Sequence, residues 1–235
     1  MSNFQKLALV CAVSTVILSA CGGGTSTPST LASVTVSSFP LQAGYKKLIV
    51  SGEVDNFTIS GTCAGSATFS VSQPSSGTFE GATALSSTST LTQNLTNCTP
   101  ATFATTGTTY YDINYSPLGS SDSSVYAKFL TPLPAIPATV KIGDTAIYGT
   151  ENLFTDSTKK TTSGQRTVSY VIETDGASTS TAIVNLISKD YNTSNQLTLT
   201  QQERYRIVAD GTLSIVSIDA QASTTSTNHF LYTVK

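Results

Sequence analysis

From residue 32 onward the chain alternates apolar with small polar residues over short runs. In SATFSVS, residues 66–72, Ala67, Phe69 and Val71 alternate with Ser and Thr. A period of two marks a strand with one buried face. The same reading covers ASVTVSS (32–38), KKLIVSG (46–52) and NFTISG (56–61), and more weakly LSSTSTLT (85–92). TTYYDINY (108–115) and SVYAKFL (124–130) complete a first block of strands. A second block holds GDTAIYG (143–149), QRTVSYVIETD (165–175), STAIVNLIS (180–188), NQLTLTQQERYRIVA (195–209) and NHFLYTVK (228–235). ENLFTDSTKKTTSGQ reads as a polar excursion within it. No long apolar face at helical spacing follows residue 21, so the pattern predicts no helix there.

Between the blocks runs LTPLPAIP, residues 130–137. Its prolines remove ladder donors and stiffen the chain, which predicts a domain boundary, or equally a crossover between two sheets of one domain. The expected organisation is an N-terminal β domain at 34–130, a Pro-rich linker at 131–137 and a C-terminal β domain at 138–235. Asp210-Gly211 between two alternating runs predicts a type I′ hairpin. In that register Ile207 faces Ser214 and Tyr205 faces Val216. Tyr205, Ile207, Val216 and Ile218 then point inward. Arg204 and Arg206 meet solvent or an acidic partner. Many short strands with Gly, Ser, Asn and Pro turns predict an all-β, antiparallel fold of immunoglobulin-like or related β-sandwich modules. The immunoglobulin signature is incomplete, because no Trp lies between Cys63 and Cys98 and their spacing is short.

The first residues follow another pattern. Lys6 is basic, LALVCAVSTVIL (7–18) is mostly apolar, and Ser19 and Ala20 are small. These are the parts of a secretory signal segment. The apolar run is shorter than the roughly 20 residues a membrane-spanning helix needs. LSAC, ending at Cys21, resembles the lipobox of bacterial lipoproteins. The resemblance covers residues 1 to 24 only. It implies cleavage of signal peptide 1–20, a diacylglyceryl thioether on Cys21 and an acylated (palmitate-type) amine at the new terminus. Gly22, where Asp often retains such proteins in the inner membrane, implies a lipid-anchored place at the bacterial outer membrane. GGGTSTPSTLAS, residues 22–33, carries nothing to pack and reads with Cys21 as a flexible tether, 21–33.

Composition narrows the chemistry. Without Lys6, 11 basic and 14 acidic residues remain, thinly spread, and no basic stripe exists to meet nucleic acid. Of the four cysteines, Cys11 leaves with the signal and Cys21 takes lipid. Cys63 and Cys98 remain, and an oxidising compartment predicts a disulfide bond between them. His229 is the lone histidine, and no G-x-S-x-G elbow accompanies it. Glu53 and Asp55, like Glu173 and Asp175, are spaced to share a strand face, the arrangement a carboxylate-dependent hydrolase could use. Both pairs also read as turn or edge acids. Asp55 with Asn56, or Asp156 with Glu151, could contribute to a calcium site, but no acidic loop motif supports one. Tyr110, Tyr111 and Tyr115 are candidates for a binding surface, with a core role favoured.

The sequence therefore predicts a non-enzymatic envelope lipoprotein, anchored to the membrane, that binds an envelope protein or glycan and needs no cofactor or metal. The alternatives are a structural subunit of a surface assembly and an envelope hydrolase. Convergence of Glu53, Asp55 and another acid in one cleft would favour the hydrolase.

Overall fold

The computed structural model describes residues 36–176, 178–223 and 228–235. Signal peptide, tether and Cys21 lie outside the described residues. The alternating segments form thirteen strands: β1 (Glu53–Gly61), β2 (Gly65–Val71), β3 (Ser75–Phe79), β4 (Ala82–Leu95), β5 (Thr102–Tyr111), β6 (Pro117–Asp122), β7 (Tyr126–Phe129), β8 (Thr145–Phe154), β9 (Thr162–Thr174), β10 (Thr181–Asn192), β11 (Leu197–Val208), β12 (Leu213–Ala222) and β13 (His229–Val234). From β4 to β13 each strand pairs antiparallel with the next. The meander closes on itself where β1 meets β13, Phe57 opposite Val234 through Gly61 opposite Phe230. β2 pairs with both β1 and β4. β3 prolongs the line of β2 past a break at Ser72–Pro74 and pairs with β4 alone.

The fold is thus a closed antiparallel barrel of twelve strands with β3 as an appendage. It replaces the expected β-sandwich modules. Both architectures ask each strand for one apolar face, so local alternation is the same. The difference lies in the fate of the sheet edges. Here β1 and β13 satisfy each other, and the two halves read as separate blocks are arcs of one sheet. Segment 131–137 connects β7 to β8 within it.

KKLIVSG is helical and not a strand. Helix α1 spans Leu41–Ser51. Leu41, Tyr45, Leu48 and Ile49 recur at helical spacing and face the barrel, while Lys46, Lys47 and Val50 stay exposed. Pro40 precedes the helix and Gly52, at φ 68°, ends it with its amide bonded to the Ile49 carbonyl. The helix approaches the β11–β12 turn so closely that a Cβ on Gly44 would lie 1.9 Å from the Gly211 carbonyl oxygen. Phe39 and Val140, each 1 % exposed, bridge beside it. Together with Ile136 and Pro137 they cover this mouth of the barrel.

The Asp210-Gly211 hairpin forms with another register. Ile207 faces Leu213 and Tyr205 faces Ile215. The Gly211 amide bonds to the Val208 carbonyl, and Asp210 accepts the Thr212 amide at 2.8 Å. Of the loop residues only Gly211 has positive φ, at 85°. A type I′ turn needs positive φ at both central residues, so the loop widens. A bulge between Ser217 and Ile215 then restores Ile218 to the inner face. Arg204 and Arg206 do find acidic partners on the outer face, Glu173 at 3.4 Å and Asp175 at 2.6 Å.

The β3–β4 hairpin turns at Glu80-Gly81, both at positive φ, and folds over the outside of the barrel. Phe79 stacks on Tyr110 and Tyr126 with ring centroids 4.6 and 5.7 Å apart. The Glu80 carboxylate accepts the Tyr126 hydroxyl at 2.6 Å and pairs with Lys128 and Lys159. These donors hold its pKa down at about 2.

Candidate functional site

Inward-facing positions follow the strand period, and the space between them is not filled. A chamber of about 560 Å³ lies beneath α1, and a second of about 340 Å³ lies toward the opposite end. Ser89, Gly107, Asp122, Arg166, Leu199 and Gln201 line both and form the waist between them. Aliphatic and aromatic side chains dominate the larger chamber: Leu48, Phe69, Phe129, Val168, Val184 and Leu186 among them. Outward positions on the same strands are hydroxyl-rich, such as Ser66, Thr68 and Ser70 on β2 and Thr88, Thr90 and Thr92 on β4. An apolar interior within a polar exterior is the reverse of a membrane-spanning barrel, whose outer face carries an apolar belt. Among the described residues, no helix is long and apolar enough to cross a membrane.

Polar groups in the lumen fall into two clusters. At the waist, Arg166 forks onto Asp190, Nε to Oδ1 at 2.7 Å and a terminal nitrogen to Oδ2 at 3.0 Å, and its other terminal nitrogen reaches Glu151 at 3.4 Å. Burial pushes the Glu151 carboxyl up in spite of the guanidinium beside it. Arg166 follows from the alternation Arg166, Val168, Tyr170 on β9, which carries it to the same side as the chamber's apolar wall.

The second cluster lies beneath α1. Glu53 opens β1 directly after Gly52, and Asp55 follows on the same face. Burial, a hydrogen bond to Asp55 and the negative charges of Asp55 and Glu203 push the Glu53 carboxyl up to about 8. Glu53 therefore keeps a proton at neutral pH and donates it in a hydrogen bond to Asp55. The other Asp55 oxygen, Oδ2, is buried without a hydrogen-bond partner. Glu203, on β11, accepts Gln201 at 2.7 Å and the Tyr205 hydroxyl at 3.2 Å. Tyr45, Tyr111 and Tyr148 complete the group. Burial raises all four phenols, Tyr111 and Tyr148 to about 12, so they stay neutral. Ser87 Oγ and Tyr148 Oη, on the same chamber wall, are buried and without partners.

The Glu53 shift sets a sign for the pH dependence of stability. Between about 4.5 and 8 the unfolded chain loses a proton that the native chain keeps. This contribution therefore destabilises the fold progressively as pH rises through that window. Glu53→Gln is expected to flatten the slope and to be more stable than the native protein near pH 8, as read by urea denaturation at both ends of the window.

The other residues singled out from the sequence disperse. Cys63 and Cys98 form a disulfide with Cα atoms 5.8 Å apart, at the end of the barrel away from α1. Tyr111 faces the larger chamber, Tyr110 lies under Phe79 on the outer wall, and Tyr115 sits in the β5–β6 turn with Lys46 over its ring at 5.1 Å. Glu173 and Asp175 pair with arginines outside the lumen. His229 pairs with Asp219 at 3.0 Å on the outer face. Asp55 and Asn56 point to opposite faces, while Glu151 lies in the lumen and Asp156 caps the Thr158 amide in the β8–β9 turn. Among the described residues no group of three His, Cys, Asp or Glu is placed to hold a metal ion. Glu203 and Arg166 are lumen residues that the sequence pattern left among ordinary strand residues. Comparison with protein-family models, curated proteins and solved structures finds no match to this chain.

Proposed function

We propose that this protein is a lipid-anchored envelope binding module whose barrel lumen takes up a small, largely apolar molecule. The observation that carries the reading is the unfilled, apolar-walled chamber of about 560 Å³ inside a barrel with a polar exterior. That volume suits a small ligand, and a few polar groups among apolar walls are how such sites orient one. The lipobox resemblance at Cys21 supplies the anchor, and the tether 21–33 holds the barrel near the membrane surface. An assembly role through strand addition has only short edges to work with among the described strands, β3 and the stretches 102–106 of β5 and 145–149 of β8 that run past their ladders with β6 and β7.

The test is titration with N-phenyl-1-naphthylamine, a neutral apolar dye whose fluorescence rises on burial. Saturable binding at one site, displaced by decan-1-ol, is expected. A Cβ on Gly107 would make ordinary contacts of 3.5 Å at the waist, so Gly107→Leu fills the junction of the chambers. That variant is expected to weaken dye binding by about tenfold, the loss expected when bulk replaces ligand volume. Non-saturable uptake, or equal affinity in the variant, would overturn the reading.

A second reading has its own observation. Glu53 and Glu203 line one chamber, and Glu53 is held protonated beside Asp55 on the same strand. A carboxyl that keeps its proton at neutral pH is what a general acid requires. A hydrolase acting on a molecule small enough to enter the lumen fits that pair. Conversion of a bound ester or glycoside, lost in Asp55→Asn, would select it over binding alone.

A further inference from the structure

We infer that the larger chamber selects ligands that carry a protonated amine at one end of an apolar body. The inference rests on the lumen reading and names the chemistry of the ligand's head.

The acceptors converge from separate strands. Glu53 and Asp55 come from β1 and Glu203 from β11, and the negative charges of Asp55 and Glu203 act on Glu53. Asp55 Oδ2 lacks a donor. Ser89 on β4 is in register with Val71 on β2, and Val71 with Glu53. Ser87, one inward step from Ser89 toward α1, is 1 % exposed with its Oγ unpartnered. Tyr148 Oη is likewise unpartnered. A buried polar atom left without a partner costs free energy. Ser87 and Tyr148 on the wall of one cavity, with Asp55 further along β1 from its lining residue Glu53, point to a guest that supplies a partner.

The carboxylate oxygen lacks a donor, both hydroxyl oxygens can accept one, and a donor-rich cation would serve all three. Among the described residues lining this chamber, Arg166 is the one basic side chain, and Asp190 and Glu151 already engage it. An ammonium offers three N–H donors and no acceptor. Within the chamber it can meet the carboxyl oxygens of Glu53 and Glu203 and the hydroxyl oxygens of Ser87 and Tyr148, with Asp55 adding negative charge behind Glu53. The rings of Tyr45, Tyr111 and Tyr205 line the same space, and a cation over a desolvated ring gains further attraction. The hydrocarbon body lies against Leu48, Phe69, Val184 and Leu186. A carboxylate or phosphate head would face the acidic cluster and be repelled.

The test compares three ligands with one body: decylamine, decan-1-ol and decanoate, titrated calorimetrically into the intact protein at about pH 8, where the amine is charged. Decylamine is expected to bind at least about tenfold more tightly than decan-1-ol, with decanoate weakest. In Glu53→Gln/Asp55→Asn the ratio of decylamine to decan-1-ol affinity should fall to within about threefold of unity. Should that double variant fail to fold by circular dichroism, Glu203→Gln must lower the ratio in its place. Equal affinities for amine and alcohol in the native protein, or an amine preference that survives these substitutions, overturn the inference and leave the lumen reading standing. Failure of all three ligands to bind overturns both.

Discussion

Replacing Arg166 with methionine is expected to destabilise the fold by about 3–5 kcal/mol at neutral pH, the usual cost of removing one partner from a buried ion pair. Arg166 holds Asp190 with two hydrogen bonds at 2.7 and 3.0 Å and reaches Glu151 at 3.4 Å. Glu151 is 5 % exposed. Without the guanidinium both carboxylates are left buried beside Asp122 with no counter-charge, and each then favours its neutral form. The native state of the variant holds protons that the unfolded chain has released, so its stability should recover as pH falls toward the ordinary carboxyl range. Urea denaturation at neutral and mildly acid pH measures both effects. Adding Asp190→Leu should restore most of the loss, because the remaining Glu151 can take a proton. A small, pH-independent change in Arg166→Met would show that the cluster is not the charged waist described here.

Much of the strand pattern was legible because it needs only neighbours. Ala67, Phe69 and Val71 face one way whatever the rest of the chain does. The disulfide was legible from cysteine arithmetic, once Cys11 and Cys21 were assigned to the signal and the anchor. Helix α1 was missed because Gly44 is a poor helix former and Leu48, Ile49 and Val50 together read as a strand. Closure was missed for another reason. Nothing within β1 or β13 states that Phe57 will lie opposite Val234, and the same alternation serves a sandwich. The candidate site depends on that closure. The Glu53–Asp55 spacing showed that both acids could share a face, but their meeting with Glu203, about 150 residues away in sequence, depends on the rolled sheet. Arg166 carried a readable signal, a charge in phase with Val168 and Tyr170. It passed for an ordinary strand residue because inward arginines require a partner that no single segment names.

The closing seam is also where the disulfide acts. Cys63 lies in the β1–β2 turn and Cys98 follows β4. Beside them the Ala64 amide donates to Asn97 Oδ1 at 2.8 Å, and the Thr96 amide to the Ala64 carbonyl at 2.9 Å. The neighbouring Thr62 bonds to His229, its amide to the His229 carbonyl at 2.7 Å and its hydroxyl accepting the His229 amide at 2.8 Å. The cross-link therefore fixes the turn on which the first residues of β13 are hung. Cys63→Ser/Cys98→Ser removes a constraint across a sequence separation of 35 residues, for which the chain-entropy model gives a loss of roughly 4 kcal/mol. The expected result is a lower urea midpoint for the variant, matched by the native protein under reductant. The position of the loss is the stronger test. Amides across the β1–β13 pairing, at Ser60 and Leu231 for instance, should exchange faster before those of the β9–β10–β11 arc, which is held by long ladders between consecutive strands. Uniform acceleration across the barrel would mean that the bond acts on the unfolded chain alone. Protection unchanged at the seam would separate the disulfide from closure altogether.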